Sequence, residues 1–184
     1  MNSVAEEKTA LRQRLREGRL ARTADPTEAT RLSEQLGQFC IDNKLSTVGA
    51  YYPIKGEPDI REFLNWSLKS GIRVLLPVVS GDNLDWVEFD GSTKVGPMGF
   101  EQGTGKQSKL NLADIVFVPA MAVDFSGNRL GKGKGFYDRA LSKETVKTVA
   151  VVFDDEILMS IPSEPHDQKV NAAISASKLI WFQR

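Results

Sequence analysis

Ile115-Val116-Phe117-Val118-Pro119 is an unbroken apolar run closed by proline. A strand with one wet face alternates apolar and polar residues; a strand covered on both faces does not. The same texture returns in Thr47–Tyr52, Ile72–Leu76 and Val146–Phe153. Pro53, Pro77 and Pro119 are expected to end their strands, because proline brings no N–H to a ladder. Between the runs the period changes. Residues 4–20 place Leu11 and Leu15 on one helical face, and Ala29, Leu32, Leu36 and Phe39 form the seam of a second helix capped near Thr27. A third starts near Asp59, turns Ile60, Phe63 and Leu64 inward and stops at Gly71. Leu84–Phe89 reads as a further strand, and residues 90–109, with six glycines or prolines, as a long loop. Buried strands alternating with helices predict one α/β domain over residues 1–184, built on a parallel sheet. Sites in such sheets gather beyond the carboxyl ends of strands. That rule singles out Pro53–Glu57, the segment after Pro77, and Pro119–Asp138.

Composition narrows the function. The 184 residues carry 24 basic and 24 acidic side chains, so the net charge is zero. A nucleic-acid coat is disfavoured, since positive charge dominates such surfaces. One cysteine, Cys40, and one histidine, His166, exclude an internal disulfide and a Cys/His zinc site. Cys40 shares a helical pattern with Leu36 and Phe39 and reads as a buried thiol. The first residues lack the apolar centre of a signal peptide, and no apolar stretch approaches the roughly 20 residues that span a bilayer. A cytoplasmic monomer with neither nucleic-acid nor membrane partners is the expectation.

The chemistry concentrates in Asn128-Arg129-Leu130-Gly131-Lys132-Gly133-Lys134-Gly135-Phe136-Tyr137-Asp138. Alternating glycines permit tight turns and close approach to a ligand, and bare amides with Arg129, Lys132 and Lys134 suit phosphate oxygens. Asp138 has the chemistry to hold the Mg2+ that accompanies a polyphosphate. The spacing is neither that of a Walker A loop nor that of a dinucleotide fingerprint. The other reading is a surface turn before a helix that opens near Phe136.

Lys8 and Arg12 lie one turn apart on the first helix, either as a solvated basic face or as counter-charges to phosphate. Glu57, beyond a strand end, can accept substrate N–H groups or form a loop ion pair. Of Tyr51 and Tyr52, which point to opposite sides of a strand, one is core and the other pocket wall. Trp86, Met98 and Phe100 offer a flat apolar wall for a ring, or core packing. Trp66 is expected to pack its helix on the sheet. His166 has no partners for acid–base work, whereas Asp167 is a candidate second Mg2+ ligand.

Together these residues resemble the 5-formyltetrahydrofolate cyclo-ligase (5,10-methenyltetrahydrofolate synthetase) family. The matching pieces are Lys8 and Arg12; Tyr51, Pro53 and Glu57; Pro119 to Asp124; Arg129 to Asp138; and Asp167 to Asn171. The resemblance implies a three-layer α/β/α fold around a mostly parallel sheet. It implies ATP as co-substrate, Mg2+ as cofactor, and 5-formyltetrahydrofolate, with or without a polyglutamate tail, as substrate. Lys8, Arg12 and the run Arg129, Leu130, Gly131, Lys132, Gly133, Lys134, Gly135, Phe136 and Tyr137 would bind ATP. Within that set, Arg129, Lys132, Lys134 and Tyr137 would serve catalysis. Tyr52, Glu57, Met98 and Phe100 would bind the folate, and Asp138 and Asp167 the metal. The chain departs from the family pattern at Ala120, Val123, Glu156 and Asn171 and in the Gly96–Gln102 loop, changes that bear on the folate side more than on the nucleotide side. Two other classes remain beside this reading. One is a different ATP-dependent enzyme with a small cyclic substrate, motivated by the altered loop. The other is a degenerate binding protein, motivated by Asn171 in place of an aspartate.

Overall fold

The apolar runs form the centre of an eight-stranded sheet in the computed structural model, which describes residues 3–23 and 25–183. In chain order the elements are α1 (Val4–Ala21), α2 (Glu28–Asp42), β1 (Thr47–Gly49), α3 (Arg61–Ser70), β2 (Arg73–Ser80), β3 (Asn83–Glu88), β4 (Thr93–Val95), β5 (Glu101–Gly103), β6 (Gln107–Ser108), β7 (Ile115–Pro119), β8 (Ala122–Asp124), β9 (Arg129–Leu130), α4 (Phe136–Leu141), β10 (Lys147–Val151), β11 (Ile157–Leu158), β12 (Ala172–Ile174) and β13 (Leu179–Trp181). Single 3-10 turns lie at Leu110–Leu112 and Asp154–Glu156. The order across the sheet is β13-β12-β10-β7-β1-β2-β3-β6. The strands from β12 to β2 pair in parallel, and antiparallel strands close both sides.

Strand periodicity explains why the central runs are apolar throughout. Val74, Leu76, Ile115, Phe117, Val149, Val151, Ala172 and Ile174 point to one face, where Leu32, Leu36, Phe39 and Cys40 of α2 and Phe63 and Leu64 of α3 cover them. The intervening Leu75, Val116, Val118, Ala150 and Ala173 point to the other face, against Leu110, Tyr137 and Leu141. Each run thus feeds two cores. Phe117 meets Phe39 and Phe63 edge-on, both at 5.7 Å between centroids, in the first of the two. Helix α1 stands apart from the large sheet. Its Leu11 and Leu15 pack on Met121, Ala122, Leu130 and Ile161 around a small sheet ordered β11-β8-β9. A reciprocal Ser3–Glu6 capping box fixes where α1 begins.

Several expectations need correction. Pro77 does not end its strand, because β2 runs on to Ser80. Strand β1 leaves β2 after Leu75, so the proline sits where β2 has lost its parallel neighbour while keeping β3 opposite. The first strand stops at Gly49 rather than Tyr52. Residues 90–109 are not a featureless loop. They form the β4–β5 hairpin and β6. Gly99, at φ +78°, makes the hairpin turn, and a Cβ on Gly96 would lie 2.3 Å from Gln102 Oε1. Its glycines are there for geometry, and composition alone made them look like flexibility. Trp66 stacks on Phe63, lies against Gly37 of α2 and packs on the core those helices share with the sheet, so it joins two helices as well. Among the described residues no helix is long and apolar enough to cross a membrane.

Candidate active site

The glycine run starts as β9 and ends as α4, with Gly133 (φ +99°) and Gly135 (φ +68°) in the left-handed region between them. At φ +68° Gly135 holds a backbone conformation that strains any residue with a Cβ. The loop is held from outside. Arg12 Nε donates to Gly131 O at 2.9 Å, and Arg139 donates to Asp82 O at 2.7 and 2.9 Å. Helix α1 therefore supplies the loop's support as well as charge.

A cavity of about 370 Å³ opens between this run, α1, the segment after β1 and the hairpin. Every residue from Arg129 to Asp138 lines it, as do Lys8, Arg12, Tyr52, Glu57, Met98, Phe100 and Asp167. The residues assigned from the resemblance to ATP, folate and metal are thus brought to one place. Tyr51 also reaches the wall but is buried, with its hydroxyl donating to Pro58 O at 2.9 Å. Trp86 does not reach it and packs in the core. Pro77, Val79 and Leu84 form the apolar wall in its place. Pro77 and Val79 share a strand face and Leu84 stands opposite Val79, a pattern concealed by the expectation that Pro77 ends the strand. Glu164 and His166 also line the cavity, though nothing in their spacing marked Glu164.

Three of the site's cations, Lys8, Arg129 and Lys132, are paired with carboxylates. Lys8 Nζ donates to Asp167 Oδ2 at 2.5 Å and to Glu164 Oε2 at 2.8 Å. Burial alone would lower the Lys8 ammonium, but these two carboxylates outweigh it and raise its pKa. Burial alone would likewise raise the Asp167 carboxyl, yet the Lys8 ammonium and the Glu164 N–H hold it below the usual carboxylate range. Arg129, its side chain 2% exposed, donates from Nη2 to Asp138 Oδ1 at 2.7 Å, while its buried Nε has no partner among the described residues. Lys132 Nζ reaches Glu57 Oε1 at 2.8 Å, and Glu57 Oε2 accepts from Ile54 N at 3.0 Å. Burial, with the Glu57 charge nearby, pushes the Tyr137 phenol well up, so it stays protonated and can donate at neutral pH.

The carboxylates are arranged to take a hard cation. Asp138 and Asp167 each receive their protein hydrogen bonds through a single oxygen, leaving the other for an ion. Glu164, His166 and Asp167 place one ligand atom each within 4.8 Å of one another, and Asp138 lies outside that group. Asn171 lies away from the cavity. Its Oδ1 accepts from Thr148 N at 2.9 Å, tying the start of β12 to β10. Asp124, from the Pro119–Asp124 block, is also structural. Buried, it accepts from Ser126 N, Asn128 N, Asn128 Nδ2 and Ile161 N at 2.8–3.0 Å.

A family model described as the 5-formyltetrahydrofolate cyclo-ligase family matches residues 4–176. The chain belongs to that family. A 5-formyltetrahydrofolate cyclo-ligase of Mycolicibacterium smegmatis is 42% identical over 133 residues, 66% of this chain and 69% of the relative. An Escherichia coli protein of the same name is 29% identical, over 73% of this chain and 80% of its own. The solution structure of Aquifex aeolicus 5,10-methenyltetrahydrofolate synthetase superposes with a TM-score of 0.85 at 25% identity, covering 96% of this chain and 93% of that one. The Mycoplasma pneumoniae synthetase shares the fold, with a TM-score of 0.77 at 21% identity over 93% and 99% of the two chains. The central sheet flanked by helices is therefore the family's fold.

Proposed function

We propose that the protein converts 5-formyltetrahydrofolate to 5,10-methenyltetrahydrofolate at the expense of ATP, releasing ADP and phosphate, with Mg2+ as cofactor. One observation carries the reading: the basic glycine run and the Glu57 segment, far apart in sequence, line one cavity and touch through Lys132 and Glu57. A polyphosphate and a ring with N–H donors then fit side by side.

The formyl amide is a poor electrophile, because the N5 lone pair is delocalised into its carbonyl. Its oxygen attacks the γ-phosphorus of ATP, and the bond from that phosphorus to the β-bridging oxygen breaks to release ADP. N10 then adds to the formyl carbon of the iminium phosphate and loses its proton. Phosphate departs with the former formyl oxygen, which leaves the methenyl bridge. The chain supplies position and charge. Arg129, Lys132, Lys134, Arg12 and Lys8 offset the phosphate oxygens, and Tyr137 donates from a protonated phenol. Glu57 accepts from the pterin edge, while Tyr52, Met98 and Phe100 enclose the ring. Asp138 and Asp167 would hold the Mg2+, which supplies charge neutralisation on the polyphosphate when bound. No protein nucleophile is required.

Purified protein mixed with 5-formyltetrahydrofolate and Mg-ATP tests this. The methenyl absorbance should grow only with ATP present, with one ADP formed per product. A flat trace at saturating concentrations of both substrates would overturn the assignment.

A further inference from the structure

Arg19 lies further along α1 than Arg12 and lines no part of the cavity, yet its guanidinium joins three separate segments around it. Nε and Nη2 donate to the two oxygens of Glu156 at 2.6 and 2.8 Å. Nη2 also donates to Ala120 O at 2.6 Å, and Nη1 to Gly56 O at 2.9 Å. The ion pair is enclosed, with side chains 6% and 4% exposed. Glu156 is one of the positions at which the chain departs from the family pattern, and its carboxylate matches the guanidinium fork with two parallel bonds.

Both carbonyls that Arg19 holds border the site. Ala120 lines the cavity directly, after Pro119. Gly56 precedes Glu57 in a turn closed by Glu57 N donating to Ile54 O at 3.0 Å, with Gly56 at φ +81° in the third position, as a type II turn requires. The Gly56 carbonyl and the Glu57 N–H belong to one planar peptide unit. Fixing that oxygen therefore fixes the plane from which the Glu57 side chain departs. A lysine cannot replace this, because a point ammonium cannot reach acceptors spread over a planar fork.

We propose that Arg19, locked by Glu156, is a positioning residue that sets where the Glu57 carboxylate stands in the folate half of the cavity. The inference rests on assigning Glu57 to the folate, and the test separates the two. Wild type, R19K and E156Q are compared as full-length proteins by steady-state kinetics against each substrate, with folding checked by circular dichroism. A wild type that forms no methenyl product would remove the folate assignment and this inference with it. With an active wild type, R19K should raise the KM for 5-formyltetrahydrofolate by about tenfold or more, while kcat and the KM for ATP stay within about threefold. E156Q keeps one carbonyl oxygen for the fork and should raise the folate KM by about two- to fivefold. An unchanged folate KM in both variants, or a loss shared equally by the two KM values or carried by kcat, would overturn the proposal. If R19K does not fold, E156Q decides alone: the same split supports the role, and its absence removes it.

Discussion

At the residue scale the site is a set of ion pairs awaiting new partners. Glu57 is anchored by Ile54 N through one oxygen and faces Lys132 with the other. E57Q should raise the folate KM by about ten- to hundredfold, through loss of a charge-assisted acceptor, and leave the ATP KM within about twofold. R129A should show the opposite division, lowering kcat by about 10²–10³ with a smaller effect on folate binding. Equal losses against both substrates in either variant would contradict this allocation. Cys40 makes a separate prediction. Burial pushes its thiol up to about 12, so a thiol reagent at pH 8 should fail to modify the folded protein and react fully once it is unfolded. Fast labelling of the native chain would contradict its place in the core.

The residues that announced themselves were those whose chemistry is unusual for their position. Glycines interleaved with lysines and a carboxylate just past a strand end pointed outward from the sequence. Glu164 and Arg19 did not, because an acid before a proline and an arginine on a basic helix are ordinary. Only their partners across the fold give them meaning, Lys8 for the one and Glu156 for the other.

At the element scale the sheet's starts are tied by side chains. Asp114, just before β7, accepts from Thr47 N, Ser46 N and Ser46 Oγ at the entrance to β1, at 2.8–3.2 Å. The Thr47 N–H and the Ser46 donors hold its carboxyl below the usual carboxylate range, against an opposing push from burial. A depressed folded pKa stabilises above the unfolded value near 3.9, and that contribution disappears as pH falls through the lower folded value. D114N should therefore cost about 1 kcal/mol at pH 7, a figure kept small by the residue's exposure. The difference from wild type should shrink toward zero as the pH falls below about 4. Chemical denaturation at both pH values checks this, and a gap independent of pH would remove the carboxylate's charge from the account.

Helix and strand types were legible because periodicity reports burial directly. Ile115–Val118 lacked a polar face, and the structure gives it two apolar ones. What failed were rules about single residues. Proline was read as a stop at Pro77, where a missing ladder partner makes it harmless, and glycines in 90–109 were read as freedom, where the left-handed turn at Gly99 and the Glu88 backbone against Gly105 call for them. The short strands β8, β9, β11, β12 and β13 escaped notice because two or three residues carry no measurable period.

At the scale of the whole molecule, α1 on its small sheet and the hairpin beyond β3 enclose a cavity beside the parallel strands. Within it, Lys8, Arg129 and Lys132 are paired with Asp167, Glu164, Asp138 and Glu57. On the proposed assignment, phosphate would draw these cations away and Mg2+ would take up the carboxylates so released. Mg2+ and ATP should thus bind together at least about tenfold more tightly than expected from Mg-ATP formation in solution and the binding of each alone. Calorimetry with ATP in chelator, Mg2+ alone and both would show it, and independent binding would contradict the exchange of partners.

In the proposed reaction the formyl oxygen becomes the leaving group by accepting the γ-phosphoryl group inside this cavity. A single turnover with 5-formyltetrahydrofolate carrying 18O in the formyl group, followed by mass analysis of the phosphate, tests it most directly. Label should appear in inorganic phosphate, one atom per methenyl product. Unlabelled phosphate, with the 18O found in water, would contradict it.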